Sequence, residues 1–383
     1  MKYYCIGIKG AGMSTLANIL SDLGNDVSGY DDTVKYKFTE EGLDKRGIKI
    51  YHEPHPIDSD TIVTYSKAFS IDHPEIKRVR ELGLTMRDYN QVVGDVTAMF
   101  ETIGISGTHG KTTTSLLISD ILKNTVGCNY FVGDGTGYAD KKNKLFVIES
   151  DEFNKHFLAY HPTIAVITNI ELDHTECYPG GLEEIKDTFK KFGNKAEQVV
   201  ACGDDSNIRN IKFDKDVIYY GFNDNNNVVA KNVKLTDKGS EFDVYINNEL
   251  FDSYELPLFG KHMILNALAS IIIANRYNIN KEDIKGNVDI NFFGYENIDF
   301  DIGANKYGYA VFKNPKKAFK TLKKEYSDGI KIIQKEFKLP PLNNFTYKSY
   351  KTYGWQVTTG TPSLKKEAKF VTLFLDIYEN SFN

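Results

Sequence analysis

Ile103-Gly104-Ile105-Ser106-Gly107-Thr108-His109-Gly110-Lys111-Thr112-Thr113-Thr114 is the stretch that decides how this chain is read. An apolar strand pattern runs into glycines, and a Gly-Lys-Thr triplet then opens a segment with helical spacing, Thr114–Leu122. That context is what a phosphate-cradling loop requires: backbone N–H groups wrap the phosphates, Lys111 neutralises β/γ oxygens, and the Thr112 hydroxyl faces Mg²⁺. The usual spacing puts a glycine five positions before Gly110, where this chain has Ile105; Gly107 takes over, so the loop is a shortened variant. A helix cap built from Thr and Gly would leave the Gly-Lys-Thr triplet after a buried strand without a purpose.

Outward from this loop, strands and helices alternate. Strand patterns at Leu145–Glu149, Thr163–Ile170, Gln198–Cys202 and Val217–Tyr220 are separated by segments such as Glu183–Phe192 with helical period. This alternation predicts a parallel α/β sheet. Lys231–Phe251 breaks the rhythm with two alternating runs and turns at 237–239 and Asn247-Asn248, which predicts antiparallel strands; His262–Tyr277 predicts a further helix. The ends of two strands carry Glu149-Ser150-Asp151-Glu152 and Thr168-Asn169-Ile170-Glu171-Leu172-Asp173-His174. Strand C-termini of a parallel sheet converge on the phosphate-binding edge, so carboxylates and an imidazole there suit Mg²⁺ bridging ATP and a second substrate.

A second glycine loop lies at the start. Gly7-Ile8-Lys9-Gly10-Ala11-Gly12-Met13-Ser14 follows the strand Tyr3–Gly7 and precedes a helix over Met13–Leu23, and Asp31 follows the next strand, where an acid takes ribose hydroxyls. Thr15 stands where a dinucleotide fingerprint needs its third glycine, so the loop implies a phosphate-bearing ligand rather than NAD and ranks an oxidoreductase last.

These motifs, with Gly260–Asn266, occur in the order found in the Mur ligases, and the chain resembles that family over about residues 1–290. The Gly7–Ser14 start and Gly133-Asp134-Gly135-Thr136-Gly137 look like Gram-positive members that join L-alanine to UDP-N-acetylmuramate. The resemblance implies an ATP-dependent amide ligase of peptidoglycan precursor synthesis, acting through an acyl phosphate. It implies a Rossmann-like domain, 1–97, that binds the UDP-sugar at Gly7, Lys9, Gly10, Ala11, Gly12, Met13, Ser14 and Asp31. It implies a P-loop α/β domain, 98–290, that binds ATP at Gly107, Thr108, His109, Gly110, Lys111, Thr112 and Thr113, with Asn266 beside the adenine. Thr112 and Glu149 would serve one Mg²⁺ and His174 a second metal position, with Lys111, Glu149 and His174 the catalytic set. The family's usual His-Asn pair is His262-Met263 here.

The resemblance stops where composition changes. Residues 296–383 carry 15 lysines, no arginine and 9 acids, against 32 basic and 43 acidic residues in the rest; aromatics are 16 of those last 88 residues. All eight histidines precede residue 263. A step in three properties predicts a module boundary near 286–300, with 291–383 a small α-rich (α+β) module: a helix over Pro315–Phe337, a Tyr-rich segment and a final helix near Pro362–Tyr378. The family's third domain, opened by an Asp-Asp-Tyr-Ala-His-His-Pro motif, is not in this sequence. Three readings therefore stand beside each other: a working ligase, a truncated non-catalytic UDP-sugar and nucleotide binder, and a nucleotide-binding interaction protein. Lysines with interleaved aromatics admit nucleic acid as a partner of the tail, though a solvated lysine face is the commoner meaning.

The start of the chain shows no secretory leader, the sequence has no 18-residue apolar run, and the four cysteines form no CxxC pair, which predicts a soluble cytoplasmic protein without zinc knuckle or disulfide framework.

Overall fold

The computed structural model describes residues 1–288, apart from 134, 237–238 and 257–259, together with Gly308, Tyr309, Gln356 and Val357. Two compact units divide the chain, Met1–Phe292 and Phe293–Asn383.

The first unit opens on β1 (Lys2–Ile6), whose last four residues are buried. Helix α1 (Ala11–Asp22) follows and buries Leu16, Ile19 and Leu20 as one stripe; Gly24 (φ 74°) then turns the chain out of the helix. β2 (Asp26–Tyr30), α2 (Glu40–Lys45), β3 (Lys49–Tyr51), β4 (Thr61–Tyr65), α3 (Pro74–Glu81), β5 (Thr85–Asp88) and α4 (Tyr89–Thr97) complete the first lobe. Its five strands are all parallel, in the order β3-β2-β1-β4-β5. The winding reverses between β1 and β4, and such a switch opens a crevice at the strand C-termini. Tyr4, Ile6, Val63, Ile76, Val79 and Leu84 form this lobe's core.

The second lobe is a ten-stranded sheet ordered β15-β14-β13-β12-β11-β10-β6-β9-β7-β8. In chain order these are β6 (Glu101–Ser106), β7 (Cys128–Phe131), β8 (Gly137–Tyr138), β9 (Leu145–Glu149), β10 (Ile164–Ile167), β11 (Gln198–Cys202), β12 (Val217–Gly221), β13 (Val228–Thr236), β14 (Gly239–Ile246) and β15 (Glu249–Leu256). Strands β9 and β10 are apolar almost throughout, and β6 is buried from Thr102 on, as parallel strands covered on both faces must be. The helices of this lobe are α5 (Lys111–Lys123), α6 (Gly181–Lys195), α7 (Ser206–Arg209), α8 (Lys261–Arg276) and α9 (Lys281–Val288), with α5 against β6 and β9, α6 against β10 and α8 packed on α5. The antiparallel run foreseen at 231–251 is β13–β15, which closes through Asn247 and Asn248, both at positive φ. The turn foreseen at 237–239 falls partly outside the described residues.

This mixed α/β architecture, one parallel sheet and one sheet with a parallel centre and antiparallel edges, agrees with the strand–helix alternation. In the second unit β16 (Gly308–Tyr309) pairs antiparallel with β17 (Gln356–Val357). The helices expected at 315–337 and 362–378 lie outside the described residues.

Candidate functional site: two glycine loops on one cleft

The phosphate loop sits where the sequence context requires, between the end of β6 and the first residue of α5. Gly110 caps the helix at φ 82°, and Gly107 (φ 143°) lies so close to β10 that a Cβ there would come within 2.0 Å of Thr168 Oγ1. Only glycine fits both positions. Much of the loop's shape comes from the end of β10: Thr108 N donates to Asn169 O (3.0 Å) and His109 N to Asn169 Oδ1 (2.8 Å), while Thr168 Oγ1 donates to His109 O (2.6 Å). The backbone donors of Thr108 and His109 are thus committed to Asn169. The first-turn N–H groups of Lys111, Thr112 and Thr113 are those that an α-helix leaves without intrahelical acceptors.

Lys111 folds back over its own loop. Its ammonium donates to Gly107 O (2.5 Å), Thr108 O (3.2 Å) and Glu152 Oε1 (3.0 Å). Glu152 Oε2 is equally near, at 3.0 Å, but lies outside hydrogen-bond geometry and is a buried oxygen without a donor. Burial pushes the Glu152 carboxyl up from its ordinary range, and Lys111 opposes that. Thr112 Oγ1 donates to Glu149 Oε1 (3.0 Å), and Gly133 N donates to Glu149 Oε2 (2.8 Å). Burial pushes Glu149 up as well, against the pull of the Gly133 N–H. His174, itself at φ 50°, stands 3.9 Å from Glu152 Oε1 with its ring edge-on to Phe153. The acids and imidazole therefore gather as two neighbouring groups, Thr112 with Glu149 and His174 with Glu152, joined through Lys111. Among the described residues no three His, Cys, Asp or Glu side chains close into a ready-made cage. Hard oxygen donors that leave positions open are what a Mg²⁺ shared with phosphate oxygens needs, and the residues fit that group. Asn266 is buried beside Gly110, its amide 3.9 Å from Met263 Sδ.

The first glycine loop follows β1 at the switch point of the five-stranded sheet. Gly7 turns at φ 81° with its N–H on Tyr30 O (2.7 Å), and Gly10 N closes on Gly7 O (3.0 Å). Ser14 is buried and bonds Ala11 O within its own helix. Two of the expected ligand contacts have other partners. Lys9 is buried, with Nζ 3.0 Å from Glu40 Oε1. Both Asp31 oxygens accept backbone N–H groups, from Lys9 (3.0 Å) and Thr33 (3.0 Å). These two side chains hold the loop's shape; Gly10, Ala11, Gly12 and Met13 present its surface.

Both loops line a single cleft of about 480 Å³. Gly10–Met13 and Ser66-Lys67 border it from the first lobe; Lys111, Gly133, Glu149, Asp151, His156 and Tyr160 border it from the second. Ser66 and Lys67 follow β4 on the far side of the switch point and escaped the reading of the sequence, although Thr61-Ile62-Val63-Thr64-Tyr65 is made of β-branched and aromatic residues, as a strand often is. Glu152 and Asn169 were seen only as parts of motifs, since nothing local says which of several polar residues turns inward.

Residues 2–101 match the Mur ligase family, catalytic domain, and residues 105–274 the Mur ligase middle domain. Through these residues the chain belongs to the Mur ligase family. It is 40% identical over 289 residues to the UDP-N-acetylmuramate–L-alanine ligase of Lactiplantibacillus plantarum, which covers 74% of this chain and 65% of that protein. It is 43% identical over 275 residues to the ligase of the same name from Lacticaseibacillus paracasei, 71% of this chain and 63% of that one. This Mur ligase chain thus spans slightly less than two thirds of those relatives' length. The fold is shared with crystal structures of UDP-N-acetylmuramate-alanine ligase from Thermotoga maritima (TM-score 0.66, 24% identity, 85% of this chain and 78% of that one) and of UDP-N-acetylmuramate:L-alanyl-gamma-D-glutamyl-meso-diaminopimelate ligase from Neisseria meningitides (TM-score 0.65, 22% identity, 75% and 97%). No described helix is long and apolar enough to cross a membrane.

Proposed function

We propose that this chain is an ATP-dependent ligase that joins L-alanine to UDP-N-acetylmuramate, working in the cytoplasm, where ATP and UDP-sugars are drawn upon. The observation that carries the reading is the shared cleft: two loops of phosphate-binding type, each following a parallel strand of its own sheet, open on one cavity. In this reading the lobe of residues 1–97 takes the UDP-sugar and the lobe of 98–290 takes ATP.

A carboxylate does not acylate an amine at neutral pH because oxide is a poor leaving group. Phosphoryl transfer from ATP to the lactyl carboxylate gives an acyl phosphate, and the alanine amine then displaces phosphate. For this the chain must align donor and acceptor and offset phosphoryl charge, and positioning with electrostatics supplies most of the acceleration. Lys111 and the first-turn N–H groups of α5 would bind the β/γ oxygens, with Lys111 exchanging its loop carbonyls for phosphate. Thr112 and Glu149 would hold Mg²⁺, with His174 and Glu152 at a second position. Mg²⁺, when bound, neutralises phosphoryl oxygens. The Gly10–Met13 backbone would take the pyrophosphate of the UDP-sugar, and Asn266 would flank the adenine.

The test is phosphate release from ATP with Mg²⁺, UDP-N-acetylmuramate and L-alanine, against a Lys111→Ala blank. Alanine-dependent release with the product mass is expected. Release indifferent to alanine would reduce the chain to an ATPase, and none above the blank would leave a ligand-binding protein only.

A further inference from the structure

One element reaches toward both glycine loops: it bonds Glu149, which Thr112 also bonds, and it lies against Ala11 and the helix behind it. The hairpin of β7 and β8 leaves the second sheet beside β9, the strand that ends in Glu149, with Phe131 in register with Ile148. Its turn is closed by Val132 N on Thr136 O (3.0 Å) and Gly135 N on Val132 O (3.4 Å). On the outward arm, Gly133 N donates to Glu149 Oε2 (2.8 Å) while Thr112 holds Oε1 (3.0 Å), so both carboxylate oxygens are pinned and the side chain has one orientation. On the return arm, Gly137 lies against α1, the helix that opens on the first glycine loop. A Cβ on Gly137 would stand 2.4 Å from Thr15 Cγ2 and 3.2 Å from Ile19 Cδ1. One step further on, Ala139 N donates to Asp22 Oδ2 (3.2 Å) near the other end of α1. At the tip, a Cβ on Gly135 would meet Phe38 at 3.5 Å and Ala11 at 3.8 Å.

We infer that this hairpin is a positioning strap: Gly133 aims the Glu149 carboxylate at the phosphate loop, Gly137 seats α1, and the two loops are thereby held in one register across the cleft. The glycines are needed for closeness rather than for turning, since neither Gly133 nor Gly137 has a positive φ. A Cβ on Gly133 would lie 2.8–3.0 Å from three atoms of the Glu149 carboxylate, and neighbours that close must move. The inference rests on the reading that the phosphate loop takes MgATP and the first loop the UDP-sugar, and it adds how the two are kept aligned. A short, internally bonded lever transmits displacement because packed elements shift as bodies rather than deform.

The experiment is calorimetric binding of MgATP and, separately, of UDP-N-acetylmuramate to the full chain and its variants, with thermal unfolding to confirm folding. Gly133→Ala should weaken MgATP at least tenfold and leave UDP-N-acetylmuramate within twofold. Gly137→Ala should weaken both ligands at least fivefold. Adding Thr15→Ser removes the methyl that the new Cβ would strike and keeps the hydroxyl bonded to Ala11 O, so the double variant should return to within threefold of the parent. Unchanged MgATP affinity in Gly133→Ala, or no recovery in a folded double variant, overturns the strap while the proposed function stands. A parent chain that binds neither ligand overturns both.

Discussion

Lys9 and Lys111 occupy comparable places and do opposite things. Each lies in a glycine loop that carries a buried parallel strand into a helix, and each meets a carboxylate at 3.0 Å. Lys9 points into the protein, its side chain 1% exposed, and its N–H, C=O and ammonium all bond the segment 31–40. Lys111 is on the cleft wall, held by two loop carbonyls and Glu152. The lesson is that a glycine loop's ligand-facing part is whatever its neighbours leave on the cleft wall. In the first loop the backbone of Gly10–Met13 remains, and the lysine has become part of the frame; in the second the lysine remains, and Asn169 has taken two of the backbone donors.

The widest separation should come from the lysines themselves. Lys111→Met should reduce MgATP affinity more than a hundredfold, since a charge-assisted contact to phosphate is lost. It should cost less stability than the Lys9 variant, because the His174 ring, 3.9 Å from Glu152 Oε1, still stands beside the carboxylate that Lys111 leaves. Lys9→Met should do the reverse, losing about 3–5 kcal/mol in urea unfolding because Glu40 is left as an uncompensated buried charge. MgATP affinity should stay near that of the parent when measured on the folded fraction. Equal stability losses in the two variants would break the comparison.

A smaller contrast lies in the glycines. Gly107→Ala puts a Cβ against Thr168 Oγ1 in a backbone conformation that side chains avoid, and the shift needed opens the Asn169-bound loop. It should cost about 1–3 kcal/mol and remove nucleotide binding. Gly10 has φ −71° and only Gly7 O, at 3.3 Å, near its would-be Cβ. Gly10→Ala should therefore cost less, about 1 kcal/mol for a poorer N-cap on α1, and lose affinity only for the first-loop ligand. Differential scanning calorimetry with each ligand added separates the cases.

The same contrast marks how far the sequence could be read. The phosphate loop was legible because strand, glycines, lysine and helix are contiguous, and the strands themselves followed from apolar periodicity. Family resemblance then assigned Lys9 and Asp31 to ligand binding. In the folded chain Lys9 meets Glu40 at the start of α2 and Asp31 accepts the Lys9 and Thr33 N–H groups, across a segment whose path no period encodes. Thr15, which spoils a dinucleotide fingerprint, acquires its reason only in three dimensions, where its methyl meets Gly137 from the other sheet. Glu152 was hidden for another reason: Glu149, Asp151 and Glu152 are chemically alike, and burial alone distinguishes them, with Glu152 4% exposed.

Two carboxylates, Asp31 and Glu149, give the finest test, because their amide variants should differ in sign. Asp31 accepts an N–H on each oxygen, and Asp31→Asn turns one acceptor into a donor facing a donor. That should destabilise by about 1–3 kcal/mol, the cost of an unsatisfied buried group. Glu149 is different, since burial raises its pKa above the unfolded value despite the bonds from Gly133 and Thr112. Its native form therefore keeps a proton over a range where the unfolded chain has lost it. Stability then falls as pH rises from the ordinary carboxylate value to the raised one, and the full penalty persists above both. Glu149→Gln removes that penalty, so its melting temperature should match the parent's in acid, draw ahead through the carboxylate range and hold a constant lead at pH 7. A lead that is absent or reversed at pH 7 would mean that the Gly133 and Thr112 bonds and the charge of Lys111 outweigh burial, and that Glu149 belongs with Asp31 as part of the frame.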